Sequence, residues 1–204
     1  MSDGDHRRSR EAADTATTVL WSIETPMTIP AQDCPPGFQR HRYRHVFETD
    51  GAWRDLWTWL MRPETFTKGQ PWPYRVEFLD TPRPDGTVAR DFEVGALNAH
   101  HGPFMNFCGV ISRIEVGDDG AERDLEYAYG AYFLAFRLVR PVGLRVSVEA
   151  ITEARCRVVM QVDSYVRPWT AGLWTLAQKC FWPGFGVPLR RAGRRSLVAS
   201  RSEG

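Results

Sequence analysis

The stretch from Pro168 to Arg195 limits most tightly what this chain can become. Leu173, Leu176, Ala177, Cys180 and Phe181 fall at i, i+3, i+4, i+7 and i+8, the stripe of an amphipathic helix with one buried face. Trp174, Phe181 and Trp182 widen that stripe with aromatic surface. Thr170 suits an N-cap, and Pro168 suits a chain leaving a strand just before a helix begins. Pro183 has no backbone N–H and clashes with the turn before it, so the pattern predicts an end or a kink there. A helix this aromatic needs a large apolar partner, and the preceding sequence offers a run of strands.

Residues 38–47 alternate charged positions with His41, Tyr43, His45 and Phe47, which predicts an opening strand. Trp53, Leu56, Trp57, Leu60 and Met61 then repeat the helical spacing until Pro63 stops it. Residues 74–79 and 92–97 read as strands, and 98–103 as a loop carrying His100 and His101. Residues 107–116 and 124–129 flank Gly117-Asp118-Asp119-Gly120, the signature of a hairpin. Further strands are predicted over 132–139, 142–151 and 155–166. Strand, helix, meander and terminal helix in that order specify an α+β protein, an antiparallel sheet covered on one face. The expected divisions are a polar, disordered tail (1–18), a proline-rich extended arm (19–37), one domain (38–195) and a flexible C-terminal tail (196–204).

Composition removes several function classes. A formal net charge of +1 gives the body no general attraction for nucleic acid. The four cysteines are far apart, with no close pair of metal-binding or redox type, and Cys156 and Cys180 sit in apolar patterns that predict reduced core residues. No secretory signal and no bilayer-length apolar run is visible, which makes a cytoplasmic location the expectation. Eight tryptophans and eleven phenylalanines are the departure from the ordinary, because such side chains line cores and apolar pockets.

The order of elements resembles the START-like helix-grip proteins of the SRPBCC superfamily. Residues 38–47 followed by Trp53-Arg54-Asp55-Leu56-Trp57-Thr58-Trp59-Leu60-Met61-Arg62-Pro63-Glu64 look like that family's opening strand, short helix and proline-terminated loop. The meander and the helix over 170–182 match the rest. The resemblance implies a helix-grip fold: a curved antiparallel sheet of about six or seven strands wrapped around a long C-terminal helix, with short helices after the first strand. It implies an apolar cavity between sheet and helix that takes a hydrophobic small molecule such as a lipid or polyketide. Some members of the family instead cyclise or dehydrate such ligands. The N-terminal arm and the Pro183-Gly184 interruption depart from the pattern.

If the sheet curls around the helix, Tyr127, Tyr129, Phe133, Trp174 and Phe181 face one another, and these are the expected ligand-binding residues, with His100 as a polar group at the rim. Plain core packing is the competing reading for each ring. Adjacent residues in an extended segment point to opposite sides, so His100 and His101 do not share a metal ion, and no Cys or carboxylate pattern completes a site. Solvated loop histidines are the simpler expectation. Arg75 and Glu77 share a solvent face, and Arg145 alternates with Leu144 and Val146 toward the outside. A strand arginine turned inward would point to an anionic ligand.

No nucleophile elbow, phosphate-cradling loop or dinucleotide fingerprint is present, so no cofactor is expected. The arginines of Arg190-Arg191-Ala192-Gly193-Arg194-Arg195, beside Trp182, Phe185 and Leu189, resemble an interfacial anchor for an anionic membrane; a soluble basic tail is the simpler reading. Three functions stay open in this order: binding of a hydrophobic small molecule, a polyketide cyclase- or dehydratase-like enzyme using the same cavity, and a peripheral membrane or partner-binding module. The sequence chooses neither the ligand nor the oligomeric state.

Overall fold

A computed structural model describes residues 32–68, 75–102, 106–127 and 138–202. β1 (Gln39–Asp50) opens the chain, followed by α1 (Trp53–Leu60) and α2 (Pro63–Thr67). Next come β2 (Arg75–Leu79), the two-residue strands β3 (Thr81–Pro82) and β4 (Val88–Ala89), β5 (Leu97–His101), β6 (Asn106–Val116) and β7 (Gly120–Tyr127). The long pair β8 (Val139–Thr152) and β9 (Arg155–Val166) precedes a 3-10 turn, Pro168–Thr170, and the closing helix α3 (Ala171–Ser202). Seven strands form one antiparallel sheet in the order β1-β9-β8-β7-β6-β5-β2. This is the expected α+β helix-grip architecture: a large antiparallel sheet, short helices after its first strand and a long C-terminal helix on one face.

Alternation sorts the side chains of each strand. On β1, Phe47 and Thr49 are buried, while Arg42 and Glu48 face outward to Asp163, Arg155 and Arg157 on β9. Arg75 and Glu77 pair on the outer face, as does Arg145 with Asp124. β-Bulges interrupt the register of β6 between Ile111 and Arg113, and of β8 between Pro141 and Gly143 and between Ala150 and Thr152. Each bulge bends its strand and adds local twist, which helps cup the sheet. α1 closes one end of the cup through Trp53, Leu56, Trp57 and Leu60.

Five local expectations are corrected. Of the strand expected over 92–97 only Leu97 is strand, because residues 91–95 turn, with Gly95 and Asp91 at positive φ. Residues 98–101 are strand, not loop: His100 pairs with Val76 on one side and Phe107 on the other. β8 continues through Arg140-Pro141: the proline stands opposite Ser164 of β9, next to the bulge before Gly143, and beyond the last β7 pair, Glu126 with Gly143. Pro63 opens α2 at its first turn, where a missing N–H costs nothing. Thr170 lies inside the 3-10 turn, its hydroxyl donating upstream to Leu138 and Arg167 carbonyls rather than capping α3.

The largest correction concerns α3. It passes through Pro183 and Pro188 and reaches Ser202, into the stretch expected to be a flexible tail. Pro183 leaves the Lys179 carbonyl without its helical donor, and both residues lie on the solvent side, where water replaces the bond. The buried face is also not the expected one. Gln178, Trp182, Gly186, Leu189 and Gly193 are buried, while Leu173, Leu176, Ala177 and Cys180 are exposed. Gly186 and Gly193 bring the helix backbone close to β1: a Cβ on Gly186 would press on the Phe47 ring, and one on Gly193 would collide with the Asp50 carbonyl. His41 on β1 also reaches the Thr175 hydroxyl, at 2.8 Å.

Candidate functional site

Between the first half of α3 and the cupped face of β2, β5, β6, β7, β8 and β9 lies a cavity of about 180 Å³. Its walls are largely aromatic. α3 supplies Trp174, Phe181, Trp182 and Phe185; α2 supplies Phe66; the turn before β5 supplies Phe92; β6 and β7 supply Phe107 and Tyr127. The indole N–H groups are already served: Trp182 donates to Gln178 Oε1 at 2.7 Å and Trp174 to Ser164 Oγ at 3.3 Å. Their apolar faces are thereby left to line the space. Gly109 on β6 keeps room for the opposite wall, because a Cβ there would meet the Leu125 and Tyr127 side chains below 3 Å.

Four of the six expected ligand-binding residues, Tyr127, Trp174, Phe181 and His100, line this one cavity. Tyr129 and Phe133 lie outside the described residues. His100 is half-buried on β5 rather than solvated in a loop. Its ring lies parallel on Phe107, with centroids 5.0 Å apart, and stands edge-on to Tyr127 at 5.4 Å. Its Nε2 is shut off from solvent and has no hydrogen-bond partner among the described residues. Burial, then the nearby charges of Arg123 and His101, push its pKa down to about 4, so the ring is neutral at physiological pH. His101, one residue on, faces outward beside Glu77 at 3.5 Å, as alternation requires.

Sequence reasoning missed Arg123, Asn98, Phe66, Phe92 and Gln178, all of which line the cavity. Arg123 is 3% exposed, and Asn98 is 1% exposed. The Arg123 Nη1 donates to the Leu60 carbonyl at 2.9 Å, one of the acceptors that the end of α1 leaves unsatisfied. Its guanidinium carbon lies 3.7 Å from the Phe92 ring centre and 5.0 Å from that of Phe66. Burial lowers its pKa to about 9, still charged at neutral pH. The signal for Arg123 was present: it shares strand parity with Leu125 and Tyr127, two residues per step toward the cavity. Asn98 shares parity with His100 in the same way, and its Nδ2 also has no hydrogen-bond partner among the described residues.

Among the described residues no group of three His, Cys, Asp or Glu side chains is placed to hold a metal ion. No described helix is long and apolar enough to cross a membrane. Cys156 is buried, with its thiol pushed up to about 11 by that burial, whereas Cys180 is exposed on α3 and is no core residue.

No family profile and no curated protein matches the chain in sequence. Solved structures do resemble it. Norcoclaurine synthase from Thalictrum flavum, in complex with dopamine and hydroxybenzaldehyde, overlaps with a TM-score of 0.46 at 12% identity, over 75% of this chain and 88% of that one. A hypothetical protein from Helicobacter pylori overlaps with a TM-score of 0.43 at 14% identity, over 85% of this chain and 98% of the other. A protein from Arthrobacter aurescens gives 0.44 at 16% identity, over 76% and 86%. These overlaps are loose, and the fold assignment rests on the strand order and the closing helix themselves.

Proposed function

We propose that this protein binds a hydrophobic small molecule in the cavity between the sheet and α3. The observation that carries this reading is the aromatic-walled space of about 180 Å³ between the side chains of the described residues. A guest burying about 300 Å² of apolar surface would gain roughly 7 kcal/mol before the costs of association. Binding of this kind suits carriage better than turnover. A cyclase or dehydratase reading would use a tyrosine or His100 to move the proton, and an imidazole whose pKa is held at about 4 takes up a proton weakly at neutral pH. Titration with the neutral fluorophore N-phenyl-1-naphthylamine tests the reading: saturable brightening is expected, weakened in a cavity-filling Leu144→Trp variant. No brightening with the wild-type protein, and no co-purifying small molecule in native mass spectrometry, would remove it.

A second reading is favoured by the outer face of α3. Trp169 in the preceding turn is 74% exposed, Leu173 67% and Leu176 56%, with Val187 further along the same side. Lys179, Arg190, Arg191, Arg194 and Arg195 are exposed on the helix, and residues 171–202 contain no aspartate or glutamate. Trp182 and Leu189, the apolar part of the anchor expected from sequence, are instead buried in the core. An apolar strip running into arginines that form no ion pair among the described residues complements an anionic lipid surface, where each basic residue is worth about 1 kcal/mol. Sedimentation with phosphatidylserine-containing vesicles should retain the protein, with loss in high salt and in a Trp169→Ser, Leu173→Ser, Leu176→Ser variant. Equal binding to neutral phosphatidylcholine vesicles, or self-association that the same variant abolishes, would sink this second reading.

A further inference from the structure

Arg123 is a buried cation in an apolar cavity, and no carboxylate is paired with it among the described residues. The internal stretches outside the description, residues 69–74, 103–105 and 128–137, contain no aspartate or glutamate at all. Among the described residues the guanidinium meets one helix-terminal carbonyl from Leu60, the Met61 sulfur, the faces of Phe66 and Phe92, and the field of the Tyr127 phenol. Ring faces and a carbonyl partly offset the charge, but a guanidinium presents five donors, and only Nη1 is engaged in a described hydrogen bond. A buried cation left without an anion is costly to keep, so such groups are normally paired.

The same cavity holds two further groups without a hydrogen-bond partner among the described residues, Asn98 Nδ2 and His100 Nε2. A purely hydrocarbon guest would leave all three as they are. A guest bearing oxygen atoms would serve them.

We infer that the ligand of this cavity is an apolar molecule carrying an anionic oxygen group, a carboxylate, sulfonate or phosphate, which pairs with Arg123 while its polar periphery reaches Asn98 and His100. This rests on the reading of the cavity as a binding site for hydrophobic molecules and narrows it to acidic amphiphiles. The neutral His100 ring supports the assignment, since it can donate or accept at Nε2 without adding a second buried charge.

Two fluorophores with one skeleton separate the claims. 1-Anilinonaphthalene-8-sulfonate carries a fixed negative charge, and N-phenyl-1-naphthylamine is the same body without it. Wild-type protein is expected to bind the sulfonate roughly tenfold or more tightly than the neutral twin, the size of one buried charge-assisted hydrogen bond. In Arg123→Met the ratio of the two affinities should fall to near one, and Arg123→Lys should restore part of it, with circular dichroism confirming that each variant is folded. Should wild type bind neither probe, the cavity reading itself fails. Equal affinity for both leaves that reading standing and overturns the anionic ligand, as does a sulfonate preference that survives in Arg123→Met. Outside the described residues the chain holds Asp3, Asp5, Glu11, Asp14, Glu24 and Glu203. If neutralising those six acids tightens sulfonate binding, the arginine is served by its own chain and the proposal is wrong.

Discussion

Acidification should weaken this fold through His100 before most carboxylates titrate. The ring is packed on Phe107 and Tyr127, faces Arg123, and has its pKa pushed down from 6.5 to about 4, chiefly by burial. Between those two values the unfolded chain binds a proton that the folded protein refuses. Stability therefore falls as pH drops through 6.5, continues to fall toward 4, and gains no further slope from this residue below that. A tenfold change in proton affinity is worth about 1.4 kcal/mol, so the full span amounts to about 3 kcal/mol. Against a typical total of roughly 5–15 kcal/mol, that is a large fraction. Urea unfolding of wild type and His100→Leu across this range measures it. His41 and His45 are also lowered by burial and act in the same direction, so the quantity to read is the difference between the two proteins. The leucine variant should show a shallower acid slope, by about 3 kcal/mol over the whole interval. Parallel curves for the two proteins would mean that His100 accepts its proton in the folded state, and that the described burial of its Nε2 is wrong.

Gly193→Ala should destabilise by about 1–3 kcal/mol or more, because its Cβ would strike the Asp50 carbonyl, whereas Gly172→Ala, with open space around it, should stabilise by about 0.5–1 kcal/mol; thermal melts of the pair check both. Trp182→Ala should cost about 3–5 kcal/mol as a truncation of the main core, while Trp174→Ala, half-buried at the cavity wall, should cost less stability and more N-phenyl-1-naphthylamine affinity. Equal losses of stability and binding in Trp174→Ala would reduce that residue to packing. Thiol titration of the native protein should show Cys180 reacting quickly and Cys156 only on unfolding, since one is exposed and the other is buried with its thiol pushed up to about 11.

Strand positions were legible because a half-buried sheet writes its two faces as alternation: residues 155–166 and the Gly117–Gly120 hairpin stand where the pattern put them. β5 was not, because Leu97-Asn98-Ala99-His100-His101 places polar side chains on the inward face, and inward polar groups cancel the signal. The face of α3 was misjudged for a related reason. Taking Pro183 as a terminus confined the stripe to the first half, where Leu173, Leu176 and Cys180 outweigh Gln178. With Leu189 and Gly193 included, the consistent line runs through Gln178, Trp182, Gly186, Leu189 and Gly193, since two long rows of contact with β1 and α1 outrank a few exposed leucines. Arg123 was passed over because a strand arginine is ordinarily solvated, although its parity with Leu125 and Tyr127 was plain.

Two rungs are missing from the backbone ladder of α3, at Pro183 and Pro188, and they fall between segments with different attachments. The N-terminal half roofs the cavity with Trp174, Phe181 and Trp182, while beyond the prolines Leu189 and Gly193 are seated on the core beside β1. A helix weakened at that seam can tilt its roof away from the sheet without unfastening the end that holds it, as a gangplank swings from its fixed edge. On the proposed binding reading, guest exchange would then need only the stretch ahead of Trp182, which is seated in the core, to fray, leaving the body of the sheet undisturbed.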